Sequence, residues 1–231
     1  MTKEFKFVTL DKKVIPELKR KNVDGHRFYE IGGTAYPSMT TILSLKKTEE
    51  LKEWRSKVGD DVANWEMRRA ATRGNALHTL VEQYIKGETP SIRDVLPLGM
   101  FRLIKPYLDN IDNIHLLESV LYSKKLTVAG QVDCIAEYNG KLSVIDFKSA
   151  NKARQESWIE NYFLQTTGYG IMYEEMFNTP IEQIVVLLVA EDGTAQSFIK
   201  KRIDFEPKLF EAVQAFYKNF NEKIKTTQEK K

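Results

Sequence analysis

The sequence predicts an α/β (α+β) fold whose core elements run α, β, β, β, α, β around a mixed sheet. Three observations predict it. Leu77, Leu80, Val81, Tyr84 and Ile85 recur at i, i+3, i+4, i+7 and i+8 and end at Gly87, which makes one apolar helical stripe. Asn139-Gly140 separates two runs of β-formers, and a type I′ hairpin turn asks for positive φ at both central residues, which Asn and Gly tolerate best. A third run, at 183–190, follows a helical segment and stops at Asp192-Gly193, the pattern of a buried strand entering a turn.

The elements follow in order. Residues 26–44 read as two short strands joined by Gly32-Gly33, then a Pro37-Ser38 break into a short helical turn. Thr48 can cap a helix carrying Leu51, Trp54, Val58, Val62 and Trp65 at helical spacing, with a kink at Gly59. In the next helix Gly74, His78 and Glu82 are each four apart, so they line one edge of its apolar stripe. A helix at 91–111, strands at 114–122, 127–138 and 141–149, a helix at 155–176, strands at 183–190 and 195–202, and a helix from Pro207 complete the chain.

The 231 residues exceed one domain of about 150 residues by half. No repeat or Pro/Gly/Ser linker divides residues 1–215, so one domain is expected over 1–224, its core at about 70–203, with a basic frayed tail at 225–231. The net charge of +3 is carried by 217–231, with five lysines against two glutamates. Nucleic-acid binding must therefore be argued from a local site and not from bulk charge. The stretch 3–21, with seven cations and three acids, reads as a solvated surface. The single Cys134 excludes a disulfide framework and a four-thiolate cluster within the chain. No apolar run reaches the ~20 residues of a membrane span. The first residues, with acids at Glu4 and Asp11 and no apolar core, read as neither signal nor transit peptide. A cytoplasmic protein is expected.

Hairpin register gathers charge. With Asn139-Gly140 as a two-residue loop, Tyr138 faces Lys141, Asp133 faces Asp146 and Gln131 faces Lys148. Opposed carboxylates on one face repel unless something offsets them. One offset is a hard divalent cation, which takes oxygen ligands; the other is Lys148 pairing with both acids. Asp146 follows two β-formers in Val-Ile-Asp-Phe-Lys, and a charge in a buried strand needs a partner or an ion.

These residues resemble the PD-(D/E)XK nuclease superfamily, and within it the RecB-like exonucleases. The resemblance rests on Gly74-x-x-x-His78, Gly130-x-x-Asp133, Asp146-Phe147-Lys148 and Gln165-x-x-x-Tyr169, in that order over about 70–175. Pro37-Ser38-x-Thr40-Thr41 and the helical stretch 51–78 further resemble the mitochondrial genome maintenance exonuclease branch and its phage-encoded relatives. The resemblance implies a restriction-endonuclease-like αβββαβ core with a helical N-terminal elaboration and a C-terminal helix. It implies Mg²⁺ or Mn²⁺ held by Asp133, Asp146, the Phe147 carbonyl and His78, with Lys148 acting on the attacking water. The four cysteines of iron–sulfur members are missing, so no iron–sulfur cluster is expected.

Other positions keep two readings. His78 by itself is a core-edge histidine. Glu82 and Glu118 are auxiliary acids or solvated side chains. For Gln165 and Tyr169 the resemblance implies contacts to the nucleic-acid backbone or to the surroundings of Lys148, against plain helix packing, while Trp158 and Tyr162 read as helix packing, and Trp54 and Trp65 as core. Ser38 and Arg73 are phosphate ligands, or a turn hydroxyl and a surface arginine.

The expected activity is metal-dependent exonucleolytic hydrolysis of single-stranded DNA or DNA ends in replication, recombination or repair. The expected partner is thus DNA, single-stranded or with a free end, without a membrane. Alternatives are a structure-specific endonuclease, a non-catalytic DNA-binding recombination partner and, remotely, a small-molecule phosphodiesterase.

Overall fold

The first strand is one the sequence did not single out, because Lys-Arg-Lys-Asn-Val carries no alternation: β1 (Lys19–Val23) is exposed along its whole length. It pairs with β2 (His26–Ile31), which pairs with β3 (Thr34–Pro37), in a small antiparallel sheet. The computed structural model describes residues 3–11, 15, 19–23, 25–44 and 48–228, with 48–50 and 221–228 by backbone alone. The expected Thr48 cap, part of the basic stretch at 3–21 and the tail residues 229–231 lie outside the described residues.

Helix α1 (Met39–Ser44) follows the Pro37-Ser38 break, and α2 (Thr48–Val58) and α3 (Asp60–Ile85) part at Gly59. The sequence reading of one helix kinked at Gly59 and a next one carrying Gly74 becomes a break at Gly59 followed by one 26-residue helix. Helix α4 (Val95–Leu108) leads into β4 (Ile111–Ser123), β5 (Val128–Tyr138) and β6 (Lys141–Ala150). A 3-10 turn (Glu156–Trp158) precedes α5 (Glu160–Phe177), so the helix expected from 155 starts later. Strands β7 (Gln183–Ala190) and β8 (Ala195–Lys201) and helix α6 (Glu206–Gln228) end the chain. Helix α6 runs through 225–228, where the sequence reading began a frayed tail.

The main sheet has the order β4-β5-β6-β7-β8, with β6 and β7 parallel and the other neighbours antiparallel. Asn139 and Gly140 sit at φ 53° and 75°, the turn their types predict. Parallel neighbours need a crossover, and α5 supplies it. The alternation of each strand then sorts the core into two layers. Cys134, Ile145, Phe147, Val185 and Leu187 meet α3 and α4 on one face; Ile135, Val144, Val186 and Leu188 meet α1, α5 and α6 on the other. Both central strands are covered on both faces, as a parallel pair requires. This is the mixed sheet flanked by helices expected of a restriction-endonuclease-like core. No helix among the described residues is long and apolar enough to cross a membrane.

Candidate active site

The hairpin holds its predicted register from Tyr138 opposite Lys141 to Cys134 opposite Ile145, and stops there. Beyond that point β5 stays paired with β4, through Val132 opposite Ser119 and Gln131 opposite Val120. The expected direct pairs of Asp133 with Asp146 and of Gln131 with Lys148 are therefore not ladder pairs. The physical reason is that the Asp133 side chain takes the place of the ladder: its Oδ2 accepts the Phe147 N–H at 2.8 Å. Two strands that part at their ends open a notch, and the notch collects the charged residues.

The partner that Asp133 does face is Glu118. It lies between Leu117, opposite Cys134, and Ser119, opposite Val132, with φ 46°, a left-handed conformation uncommon for a glutamate. Helix α3 brings His78 over the same spot, with Nδ1 3.4 Å from Glu118 Oε1 and 3.8 Å from Asp133 Oδ1. One ligand atom from each of His78, Glu118 and Asp133 lies within 4.8 Å of the others. Oxygen ligands about 2.1 Å from one octahedral ion lie roughly 3–4.2 Å apart, so the trio is close to that spacing. Gln131 Nε2 donates to the second Glu118 oxygen at 2.7 Å, which leaves Oε1 towards His78.

Asp146 and Lys148 adjoin the trio. Lys148 Nζ donates to Asp146 Oδ1 at 2.6 Å, whereas Asp146 Oδ2 is buried and accepts no hydrogen bond. A buried carboxylate oxygen without a donor is costly unless a cation faces it. The histidine and two carboxylates of the trio are a donor set that fits a divalent metal ion, and Asp146 stands beside that group and not within it. The acids make the spot attractive to positive charge, and a metal ion bound by His78 would displace its proton. Burial works against a charged His78, yet the hydrogen bond to Glu118 and the nearby Asp133 outweigh it and raise its pKa to about 9. Burial also raises the Asp146 carboxyl, against the pull of Lys148 and with the push of Asp133.

Two motifs of the resemblance meet by packing. Tyr169, buried on α5, lies against Gly130, where an added Cβ would come within 2.7 Å of its ring. Gln165 Nε2 donates to the Tyr169 hydroxyl at 3.3 Å. Gly74 abuts Ser149, with room for an ordinary contact at 3.7 Å.

Other predicted residues belong to the scaffold. Ser38 is buried; its Oγ accepts the Thr41 N–H at 3.0 Å and bonds the Thr40 and Thr41 hydroxyls, so it caps α1. Arg73 is buried too, with Nε bonded to Ser149 and Nη1 to Asn151 and Glu191. It also lines the cleft beside Tyr162. Glu82 pairs with Lys86 one turn along α3 at 2.6 Å and stands outside the trio.

Two aromatic readings change. Trp158 is 61% exposed and Trp65 56% exposed, so neither packs in the core. Tyr162 packs against the core as read, and it holds its ring centroid 5.1 Å from Lys148 Nζ. Tyr162 also lines a cleft of about 520 Å³ with Trp54, Met67, Ser149 and Arg154. Arg154, which the sequence reading passed over, is set there by Gln196: its N–H donates to Gln196 Oε1 at 2.8 Å and its carbonyl accepts from Nε2 at 3.0 Å. No local sequence signal links 154 to 196.

A family model described as the PD-(D/E)XK nuclease superfamily matches residues 96–230. Mitochondrial genome maintenance exonuclease 1 of Homo sapiens is 26% identical over 173 residues, 70% of this chain and 46% of that protein. The Mus musculus protein of the same name is 24% identical over 173 residues, covering 68% of this chain and 51% of its own. The Xenopus tropicalis protein is 30% identical over 101 residues, 42% of this chain and 28% of its own. The chain thus spans about half the length of the first two relatives.

Proposed function

Because the chain belongs to the PD-(D/E)XK nuclease superfamily, we propose that it is a Mg²⁺- or Mn²⁺-dependent exonuclease acting on single-stranded DNA or DNA ends. The observation that carries the reading is the meeting of His78, Glu118 and Asp133 within 4.8 Å, beside an Asp146 oxygen that accepts no hydrogen bond. Replication, recombination or repair is the setting that such an activity serves.

In this reading His78, Glu118 and Asp133 hold the metal, joined by Asp146 and the Phe147 carbonyl. When bound, the metal offsets charge on the scissile phosphate and lowers the pKa of water. Lys148 supplies a positive charge where negative charge develops on the phosphate, and Asp146 bonds its ammonium at 2.6 Å. Gln131 orients Glu118 and Tyr169 fixes the Gly130 end of β5. These residues orient the chemistry without touching the phosphate.

The cleft beside Lys148 supports an unpaired strand as substrate. Trp54 offers a ring face, and Arg154 a guanidinium for a phosphate; stacking with a cationic wall is how single strands are held without sequence preference. The exonuclease named among the relatives supports action from an end.

The test offers end-labelled linear single strands, duplexes and circular single strands with Mg²⁺, Mn²⁺ or EDTA. The expected result is shortening of the linear strand that EDTA abolishes, with the circle intact. Cutting of the circle would make the protein an endonuclease, and binding without cutting under every metal condition would make the core a DNA-binding scaffold.

A further inference from the structure

We propose that Tyr162 is a positioning residue for Lys148, its ring face fixing where the ammonium sits in the site. The inference rests on the nuclease reading above and adds to it a residue that none of the four motifs contains.

Lysine is a compact charge at the end of a flexible four-carbon stem. In this site its side chain is only 18% exposed, so most of its surroundings are protein. Asp146 holds it by one hydrogen bond, Nζ to Oδ1 at 2.6 Å. One bond to one oxygen fixes a distance and leaves the ammonium free to swing about that oxygen. Asp133 also attracts it, and a swing towards that carboxylate would bring the ammonium to the metal-holding trio.

The second restraint comes from another element. Tyr162 stands in the first turn of α5, and its ring centroid lies 5.1 Å from Nζ, inside the roughly 6 Å over which an aromatic face attracts a cation. Asp146 restrains the ammonium from β6 and the ring restrains it from the helix that crosses over to β7. Two restraints from two elements define a position where one does not. A misplacement of about 1 Å in such a group is enough to slow chemistry by up to a hundredfold.

The same side chain lines the cleft with Trp54 and Arg154, so a role in stacking on a substrate base is the competing account. The two separate in kinetics. A ring that positions Lys148 acts on the chemical step and moves kcat; a ring that stacks on a base acts on binding and moves KM.

The experiment compares wild type, Tyr162→Phe and Tyr162→Leu on a linear single-stranded oligonucleotide, with kcat and KM measured separately. Affinity for the same oligonucleotide is read by fluorescence anisotropy in Ca²⁺. A third readout is the Lys148 ε-methylene NMR resonance, identified by its loss in Lys148→Met, because a ring face shifts the methylene above it whether or not the enzyme turns over. Phenylalanine keeps the face and leucine removes it. The expected result is wild-type kcat and resonance position in Tyr162→Phe. Tyr162→Leu should lose roughly tenfold in kcat, as expected for a partly desolvated cation–π contact, with KM and affinity unchanged and the resonance moved.

A loss in KM and affinity with kcat intact would assign the ring to the substrate and overturn the proposal. Equal losses in both variants would assign the effect to the hydroxyl and overturn it as well. An unmoved resonance in Tyr162→Leu would show that the ring does not hold the ammonium. A wild type that cuts under no metal condition would sink the nuclease reading instead, a result distinct from each of these.

Discussion

Glu118 shows how much a single backbone conformation decides. At φ 46° its carboxylate faces both Asp133 and His78, and two carboxylates on one face of a sheet repel unless a cation joins them. Glu118→Gln keeps the shape and removes the charge, so it should weaken Mn²⁺ binding roughly 10–100-fold in a calorimetric titration. An unchanged affinity would place the ion away from the trio. Gly130 makes the complementary case for space. With a Cβ 2.7 Å from the Tyr169 ring, Gly130→Ala should cost about 1–3 kcal/mol in urea unfolding; wild-type stability would mean that the ring yields freely.

The individual residues differed in how far the sequence revealed them. Asp133, Asp146, Lys148 and His78 stood out because their spacing in helix and strand motifs is local. Glu118 stood out only as an auxiliary acid beside Glu82, since its register depends on the irregularity between Asp112 and Leu116, which no local pattern announces. Ser38 and Arg73 looked equally available in the sequence as ligands; tertiary structure makes Ser38 the cap of α1 and ties Arg73 to Asn151 and Glu191 at the wall of the cleft.

At the scale of elements, the strands β5 and β6 carry the account. Asn139-Gly140 made their hairpin legible and fixed its register, and the register holds for five pairs. Where the strands part was not legible, because parting depends on β5 remaining with β4 and on a side-chain carboxylate replacing a backbone acceptor. The helix α3 is tied across this edge by Arg69 and Arg73, which both donate to Glu191 beyond the end of β7. Glu191→Ala leaves the buried Arg73 without its carboxylate, so unfolding should become easier by roughly 3 kcal/mol, read by thermal or chemical denaturation. A variant as stable as wild type would mean that Asn151 and Ser149 suffice for Arg73. The exposed Trp65 on this helix shows the limit of periodicity: helical spacing marks a stripe, and only the neighbours decide whether the stripe is covered.

The whole molecule places a helix on each side of one notch in a mixed sheet. From the α3 side comes His78, from the sheet come Glu118, Asp133, Asp146 and Lys148, and from the α5 side come Tyr162, Gln165 and Tyr169. The order of elements and the two-layer core follow from hydrophobic periodicity and turn chemistry, so they were legible before the structure. The cleft at the exit of β6 was not, because Trp54 lies far in sequence from Arg154 and Tyr162 and meets them only when α2, α3 and α5 are in place. Family membership and site geometry support the same chemistry from independent directions.

The most direct test of the site pairs Mn²⁺ binding, followed by electron paramagnetic resonance, with cleavage of a linear oligonucleotide, in wild type and Lys148→Ala. Removing a cation beside Asp146 leaves the ligands of the trio in place. The variant should therefore bind Mn²⁺ at least as tightly as wild type while cutting at least roughly 10²-fold more slowly, the usual cost of removing one group that stabilises transition-state charge. Cleavage by Lys148→Ala at the wild-type rate, or cleavage by wild type that persists in EDTA, would contradict the account.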